Sequence, residues 1–288
     1  MQMNLDLLKI KESKSIAELL EFAIINIDKP SGPTSFTVSH FIKNLLRLRK
    51  TSHLGTLDPM VSGVLPIALN RACRLNDYLM HRDKTYTGIM RLHAEVQPQI
   101  LQKVIEQFLG KITQLPPKRS RVKRAERIRE VKTFIVKEDE GTDILFETKV
   151  QAGTYIRKIC HDMGESLGCG AHMLELRRTA AGVFAEPSAT LYELEAAADA
   201  FHSGDEKLLR ALLIPGEIIG TVLPVIFVKP EAINKLRTGS PLFTHFIEED
   251  QKLEKDEKIA VFENMKFIGC YHIVNEGTVR AVPEFVLN

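Results

Sequence analysis

Thr51-Ser-His-Leu-Gly-Thr-Leu-Asp-Pro-Met-Val-Ser-Gly63, running into the apolar Val64-Leu-Pro-Ile-Ala-Leu69, is the stretch whose reading decides the rest of the chain. Its Asp58-Pro59 step pins the backbone, because proline fixes its own φ and pushes the preceding residue toward an extended conformation. Gly55 and Gly63 bracket the segment and permit positive φ or close backbone approach. Val64 to Leu69 reads as a buried strand, in which Pro66 marks an edge or a strand end. A carboxylate held in a rigid turn beside a buried strand is one way to build a nucleophile. The same residues also make an ordinary turn, since Asp and Pro favour such positions for local reasons.

Upstream, Phe22 to Ile27 has strand character and ends in the dense turn signal Asp28-Lys-Pro-Ser-Gly-Pro33. Thr34 or Ser35 can cap a helix in which Val38, Phe41, Ile42, Leu45 and Leu46 recur at helical spacing. Its basic far end, Arg47 to Lys50, fits either cations at a helix C-terminus or an RNA contact. Residues 1–20 form an amphipathic lead-in, expected to lie against the C-terminal part of the chain.

Downstream, Ala72 to Leu79 reads as a helix and Lys84 to His93 as an alternating strand. Pro98 then opens an amphipathic helix closed by Gly110. Lys118 to Lys132 holds eight basic residues against two acidic ones, a density that favours a polyanionic partner over a merely solvated loop. Val131–Val136 and Ile144–Val150 alternate like paired strands. Gly153-Thr-Tyr-Ile-Arg157 leads into a helix that ends at Gly168, and Arg157 in its first turn opposes the helix dipole, so another group is expected to hold it. Met173 to Gly182 reads as a strand carrying Arg177 and Arg178, and Thr190 to Glu193 as a capping box. From Val225 onward, short strands and turn residues suggest a small β-rich module.

Composition narrows the class without choosing the function. With 288 residues, 44% hydrophobic and 26% charged, the chain has the profile of a globular protein with one large or two ordinary domains. A net charge of +2 does not by itself argue for a nucleic-acid partner; the distribution does. The four cysteines form no CxxC pair and suggest a reducing compartment, and Cys160, His161, Cys169 and His172 fit no zinc spacing. Met1 to Lys14 has neither the apolar core of a signal peptide nor the length of a membrane span.

Five separated motifs together resemble the TruB family of pseudouridine synthases, in its archaeal and eukaryotic dyskerin branch. They are Asp28-Lys-Pro-Ser-Gly-Pro-Thr-Ser35, His53-Leu-Gly-Thr-Leu-Asp-Pro-Met-Val-Ser-Gly-Val-Leu-Pro66, Lys84-Thr-Tyr86, Ala152-Gly-Thr-Tyr-Ile-Arg-Lys-Ile-Cys-His-Asp-Met-Gly164 and Gly170-Ala-His-Met-Leu-Glu-Leu-Arg-Arg-Thr179. Gln114-Leu-Pro-Pro-Lys-Arg-Ser-Arg-Val-Lys-Arg124 resembles the dyskerin branch in particular. Coverage runs from about residue 22 to 195, in order. The resemblance implies an α+β pseudouridine synthase fold, a mixed, mainly antiparallel sheet with surrounding helices and a central cleft, plus a small C-terminal β-barrel of the PUA type. The corresponding division is an extension at 1–20, a catalytic domain at 21–218 and an RNA-binding module at 219–288.

The resemblance further implies roles. Asp58 would be the catalytic aspartate, acting as a nucleophile at sugar or base or removing a sugar proton. Arg157 would pair with it through a guanidinium fork, and Tyr86 would stack on an extruded base and take part in proton transfer. Tyr155, Leu176 and His53 would line the nucleotide's surroundings, with Lys29 and Pro30 under the pocket floor; core packing for the first two and a capping role for the histidine stand as alternatives. Lys118, Arg119, Arg121, Lys123, Arg124 and Arg178 would contact RNA. The isomerisation involves no redox change, so no cofactor or metal is expected. The implied setting is an H/ACA ribonucleoprotein, with guide RNA, ribosomal RNA and small partner proteins, in an archaeal cytoplasm or, in a eukaryote, the nucleolus. The alternatives are a stand-alone enzyme acting on the transfer-RNA T-loop and a non-catalytic RNA scaffold. Leu54 and Met60 depart from the family pattern, where small and basic residues are usual, and Ser52 stands where glycine is common.

Overall fold

A computed structural model describes residues 5–115, 125–249 and 251–288 of the chain. Alternation of apolar and polar residues builds a ten-stranded sheet from β1 (Ala23–Lys29), β2 (Thr51–His53), β3 (Ser62–Leu69), β4 (Lys84–Leu92), β5 (Gly110–Gln114), β6 (Arg127–Glu140), β7 (Asp143–Val150), β8 (Ala171–Ala181), β9 (Phe184–Ala185) and β10 (Leu213–Pro215). The order is β10-β1-β3-β8-β4-β7-β6-β5, with β2 also on β3 and β9 on β8. Every pairing is antiparallel except β3–β8, which is parallel and short. A second sheet, in the order β11-β13-β14-β15-β12, comprises β11 (Val225–Phe227), β12 (Leu242–Phe243), β13 (Lys258–Glu263), β14 (Lys266–Glu276) and β15 (Val279–Val286). It is a PUA-like half-barrel, so the fold is the mixed α+β one that the motifs imply.

Helices α1 (Leu7–Ser13), α2 (Ile16–Glu21), α3 (Ser35–Leu45), α4 (Asn76–Leu79), α5 (Pro98–Gln107), α6 (Ile156–Leu167), α7 (Leu191–His202), α8 (Lys207–Leu212) and α9 (Ile233–Arg237) surround the sheets. Thr34 caps α3 by accepting from the Thr37 N–H, and Thr190 and Glu193 form the expected capping box on α7. Helix α6 ends with Gly168 in the left-handed region, as its sequence requires. The buried apolar face of α6 (Ile156, Ile159, Cys160, Met163) joins Ile25, Ile67, Met90 and Phe146 in one core. A second cluster bridges the two sheets: Phe22 at the foot of β1 stacks on Phe267 with ring centroids 5.2 Å apart. Leu5 and Leu7 pack against this cluster, and Lys14 Nζ lies 2.5 Å from Oε1 of the buried Glu217. The N-terminal segment thus touches the junction of the two sheets.

Three local expectations are corrected. Pro66 is neither at an edge nor at a strand end: β3 lies inside the sheet, with Pro66 opposite Asn26 of β1. Its carbonyl accepts from the Leu54 N–H at 2.9 Å, so its nitrogen faces that same side, beyond the last β2 pair, and the ladder with β1 is left intact. The helix expected over 72–79 is a 3₁₀ segment (Asn70–Leu75) followed by the single turn of α4. Strand β6 begins at Arg127, four residues earlier than its apolar pattern indicated.

Candidate active site

The parallel contact between β3 and β8 sets the site. Gly63 pairs with Arg178 there at φ +99°, and a Cβ at this position would collide with the Arg178 backbone, so only glycine permits the approach. The loop that returns from β2 to β3 carries Asp58 at the mouth of a cleft of about 400 Å³. Its described lining includes Thr56, Leu57, Asp58, Tyr86, Tyr155, Arg157, Leu176 and Arg178.

The Asp58 loop is fastened from several directions. The Val61 N–H donates to the Asp58 carbonyl at 3.0 Å, closing a turn over Pro59 and Met60. Ser35, 1% exposed, accepts from the Leu57 N–H at 2.8 Å and donates to the Leu57 carbonyl at 3.1 Å. Behind the loop, the buried Lys29 Nζ donates to the carbonyls of Pro30, Pro33 and Pro59 at 2.7, 2.9 and 3.0 Å. Burial lowers the Lys29 pKa and the nearby Asp58 charge opposes that shift. Arg178 spans the loop's two ends, its Nε donating to the Val64 carbonyl at 2.7 Å and its Nη2 to the Gly55 carbonyl at 3.1 Å.

Across the cleft, Arg157 is the second residue of α6. Its Nη1 lies 3.4 Å from Asp58 Oδ2, and both side chains are about half exposed, 53% and 49%. The expected partner of this arginine is therefore Asp58, reached by one nitrogen and one oxygen, not by a two-pronged fork. A half-exposed pair of this kind contributes about 0–1 kcal/mol to stability, so its value lies in aiming the carboxylate. Tyr86 on β4 is 9% exposed and pairs with Arg178 across the strands, while Gly88 two residues on leaves room for Leu176.

Charge distinguishes the lining: Lys84, Arg127, Arg129, Arg157 and Arg178 surround Asp58, the one carboxylate among the described residues that line the cleft. Lys84 Nζ donates to the carbonyls of Met80 and Arg82 at 2.5 Å each. Burial and the neighbouring Arg178 pull its pKa down to about 8. Burial also lowers the Arg178 pKa, against the opposing effect of the adjacent Tyr86.

The structure thus brings Asp58, Tyr86, Tyr155, Arg157 and Leu176 to one cleft. Lys29 and Pro30 act from behind, Lys29 through its ammonium and Pro30 through its carbonyl. His53 stands at the end of β2, Nε2 3.1 Å from Thr56 Oγ1, with a pKa lowered by burial and by Arg178; its neighbour Thr56 lines the cleft. Arg178, expected to contact RNA, also lines the cleft; it is 1% exposed and donates to the backbone carbonyls of Val64 and Gly55. Strand alternation instead turns Arg177 outward, where it pairs with Asp28 and Glu186. Lys118, Arg119, Arg121, Lys123 and Arg124 lie outside the described residues.

The sequence reading missed Lys84, Arg127 and Arg129 as lining residues, although Arg127 and Arg129 stand two apart in an alternating segment. It also missed Gln114, 3% exposed, whose Oε1 accepts from the Tyr155 N–H at 3.0 Å and whose Nε2 donates to the Tyr155 carbonyl at 3.2 Å.

Comparison with known proteins bears on the family and the fold. Residues 43–156 match the TruB family pseudouridylate synthase N-terminal domain, and residues 157–219 match the tRNA pseudouridylate synthase B C-terminal domain. A protein of Methanothermobacter thermautotrophicus named probable tRNA pseudouridine synthase B is 42% identical over 234 residues, 80% of this chain and 71% of that one. Among solved structures, the fold is similar to a chain of a Cbf5-Nop10-Gar1 complex (TM-score 0.89, 36% identity, 96% of this chain and 88% of that one). It is also similar to a chain of an H/ACA RNP bound to a substrate RNA containing 2'-deoxyuridine (TM-score 0.88, 34% identity, 96% and 89%).

Proposed function

The chain belongs to the TruB family of pseudouridine synthases, and from that premise we propose that Asp58 is its catalytic carboxylate, aimed by Arg157 over a uridine extruded from RNA. The protein is an RNA pseudouridine synthase, an isomerase. The reaction breaks the N1–C1' glycosidic bond, turns the uracil, forms the C5–C1' bond, releases the C5 proton to solvent and leaves N1 carrying a proton taken up in its place. A carboxylate serves this either as a nucleophile or as a base toward a sugar proton, and both routes require it ionised. Arg157 fixes its direction. Tyr86 offers a face for the extruded base, with Tyr155 and Leu176 as further walls. A cleft of about 400 Å³ matches the size of small-ligand sites, and its excess of cations suits phosphate. The half-exposed Asp58–Arg157 pair inside that basic cleft is the observation that carries the assignment. In this reading 21–218 is the catalytic unit, 219–288 grips RNA, and 1–20 braces the junction between them.

The finer function proposed is guided modification. The enzyme acts as the catalytic subunit of an H/ACA-type ribonucleoprotein, directed by guide RNA to ribosomal uridines with small partner proteins. Support comes from fold similarity over 96% of the chain to proteins solved in such complexes. The second reading, a stand-alone enzyme on transfer RNA, is favoured by the name of the M. thermautotrophicus relative. Tritium release from RNA labelled at uridine C5 separates them. Release only with guide RNA and partner proteins on ribosomal RNA supports the guided enzyme. Release from transfer RNA by the protein alone establishes the stand-alone activity. No release in either format, with RNA still bound, refutes the catalytic assignment.

A further inference from the structure

We propose that Gln114 is a positioning residue for the isomerisation, holding both backbone groups of Tyr155 and thereby setting the direction of Arg157. The inference rests on the reading of Asp58 and Arg157 given above. Gln114 is the last residue of β5, an otherwise half-exposed strand whose pattern gives no reason for a buried amide. Its amide accepts from the Tyr155 N–H and donates to the Tyr155 carbonyl, 41 positions away in sequence.

Tyr155 is the N-cap of α6, and its own side chain makes no capping hydrogen bond. A helix start is usually fixed by a Ser, Thr, Asp or Asn at that position; here a glutamine from another strand does so. The carbonyl that receives Gln114 Nε2 also accepts from the N–H groups of Lys158 and Ile159, so the amide sits on the first turn of the helix. Arg157 lies within that turn, and its contact with Asp58 is a single one at 3.4 Å. In this proposal a tilt at residue 155 moves the base of Arg157 and so the direction in which its guanidinium reaches Asp58. A neutral primary amide is the fitting group, because it offers one acceptor and one donor side by side. An ionised carboxylate offers acceptors only; a protonated carboxyl again offers one of each.

That last point supplies a test which a filler of space would not pass. Gln114→Met keeps the bulk and loses both hydrogen bonds, and Gln114→Glu keeps the shape and makes the donor depend on pH. Full-length variants are assayed by single-turnover tritium release below their melting temperatures, in whichever RNA format gives wild-type activity, with RNA affinity measured alongside. The expected result for Gln114→Met is a rate lower by roughly 10- to 100-fold, as for a misaimed catalytic group, with affinity changed by less than about threefold. At pH 8 the Gln114→Glu rate is also expected below wild type, because the introduced carboxylate, ionised beside its cross-strand neighbour Arg127, has no donor for the Tyr155 carbonyl; it recovers toward wild type where falling pH protonates the carboxyl. A wild-type rate for Gln114→Met, or for Gln114→Glu at pH 8, overturns the proposal. Asp58→Asn is run beside them. If it keeps the wild-type rate, the reading of the cleft falls and this inference with it; if it is inactive while Gln114→Met is normal, this inference falls by itself.

Discussion

Asp58 and Arg157 face each other across one cleft but are held there differently. The loop under Asp58 is fastened by the buried Lys29 ammonium, by Ser35 on Leu57, by Arg178 across its ends and by its own 58–61 turn. The start of α6 under Arg157 takes its cross-strand fastening from Gln114. The first wall spreads its constraint over ionic and neutral side chains, whereas at the second the Gln114 amide joins backbone bonds. There the Gln151 N–H donates to the Glu130 carbonyl at 2.8 Å and the Thr154 N–H to the Gln151 carbonyl at 3.2 Å. A wall of the first kind tolerates the loss of one fastening and keeps its aim. A wall of the second kind keeps its fold through the buried face of α6 while losing its aim.

The largest effect tests the shared premise. Asp58→Asn keeps size and removes the charge, and tritium release is expected to fall by about 10³-fold or more, with RNA affinity little changed. Next comes Arg157→Lys, which keeps a cation but gives up the rigid guanidinium whose Nη1 reaches Asp58; the rate is expected to drop roughly 10²-fold. If Arg157→Lys were as active as wild type, charge without direction would suffice, and the contrast between the two walls would lose its functional meaning. Circular dichroism melting checks that neither change acts through unfolding, since the half-exposed pair adds little to stability.

Ser35→Ala sharpens the comparison from the other side. It strands two buried backbone groups of Leu57, at a cost of about 1–3 kcal/mol, so the melting midpoint should fall by several degrees. The rate should nevertheless change by less than about tenfold, because Lys29 and Arg178 still hold the loop. Gln114→Met should invert that ratio, with a larger loss of rate for a comparable loss of stability. Equal ratios in the two variants would erase the distinction.

What the sequence disclosed follows the same division. Asp58, Tyr86 and Arg157 could be singled out because each sits in a short motif that carries the family resemblance, and the Thr190–Glu193 capping box and the Gly168 stop are equally local. Gln114 was not readable as functional, since a polar residue in Lys111-Ile-Thr-Gln114 looks like surface until β5 is placed against the start of α6. Ser35 could be seen as a possible helix cap, yet Thr34 takes that position and leaves Ser35 free to bind Leu57. The burial of Arg178 was not readable from its strand alone, because alternation separates it from Arg177 without saying which of the two turns inward; the parallel β3–β8 contact decides that.

Lys84 belongs to neither wall; it stands on the cleft floor with a pKa near 8, and it gives the smallest predicted effect. Its folded value lies below the 10.5 of a free lysine, so the folded protein releases this proton first as pH rises. Between about 8 and 10.5 the unfolded chain binds more protons than the folded one. The lysine's contribution to stability therefore rises with pH across that window, and is lost as pH falls back through 8. Binding has the opposite sign. Below about pH 8 the charged Lys84 adds to the cleft's attraction for phosphate, and above it that charge is gone. Compared with Lys84→Gln over pH 7 to 10, wild-type RNA affinity should fall by about two- to fivefold while its relative melting temperature climbs. Opposite slopes would identify Lys84 as a cleft cation that is costly to bury and useful when RNA is present. Parallel slopes, or none, would mean that the walls alone set the cleft's hold on RNA.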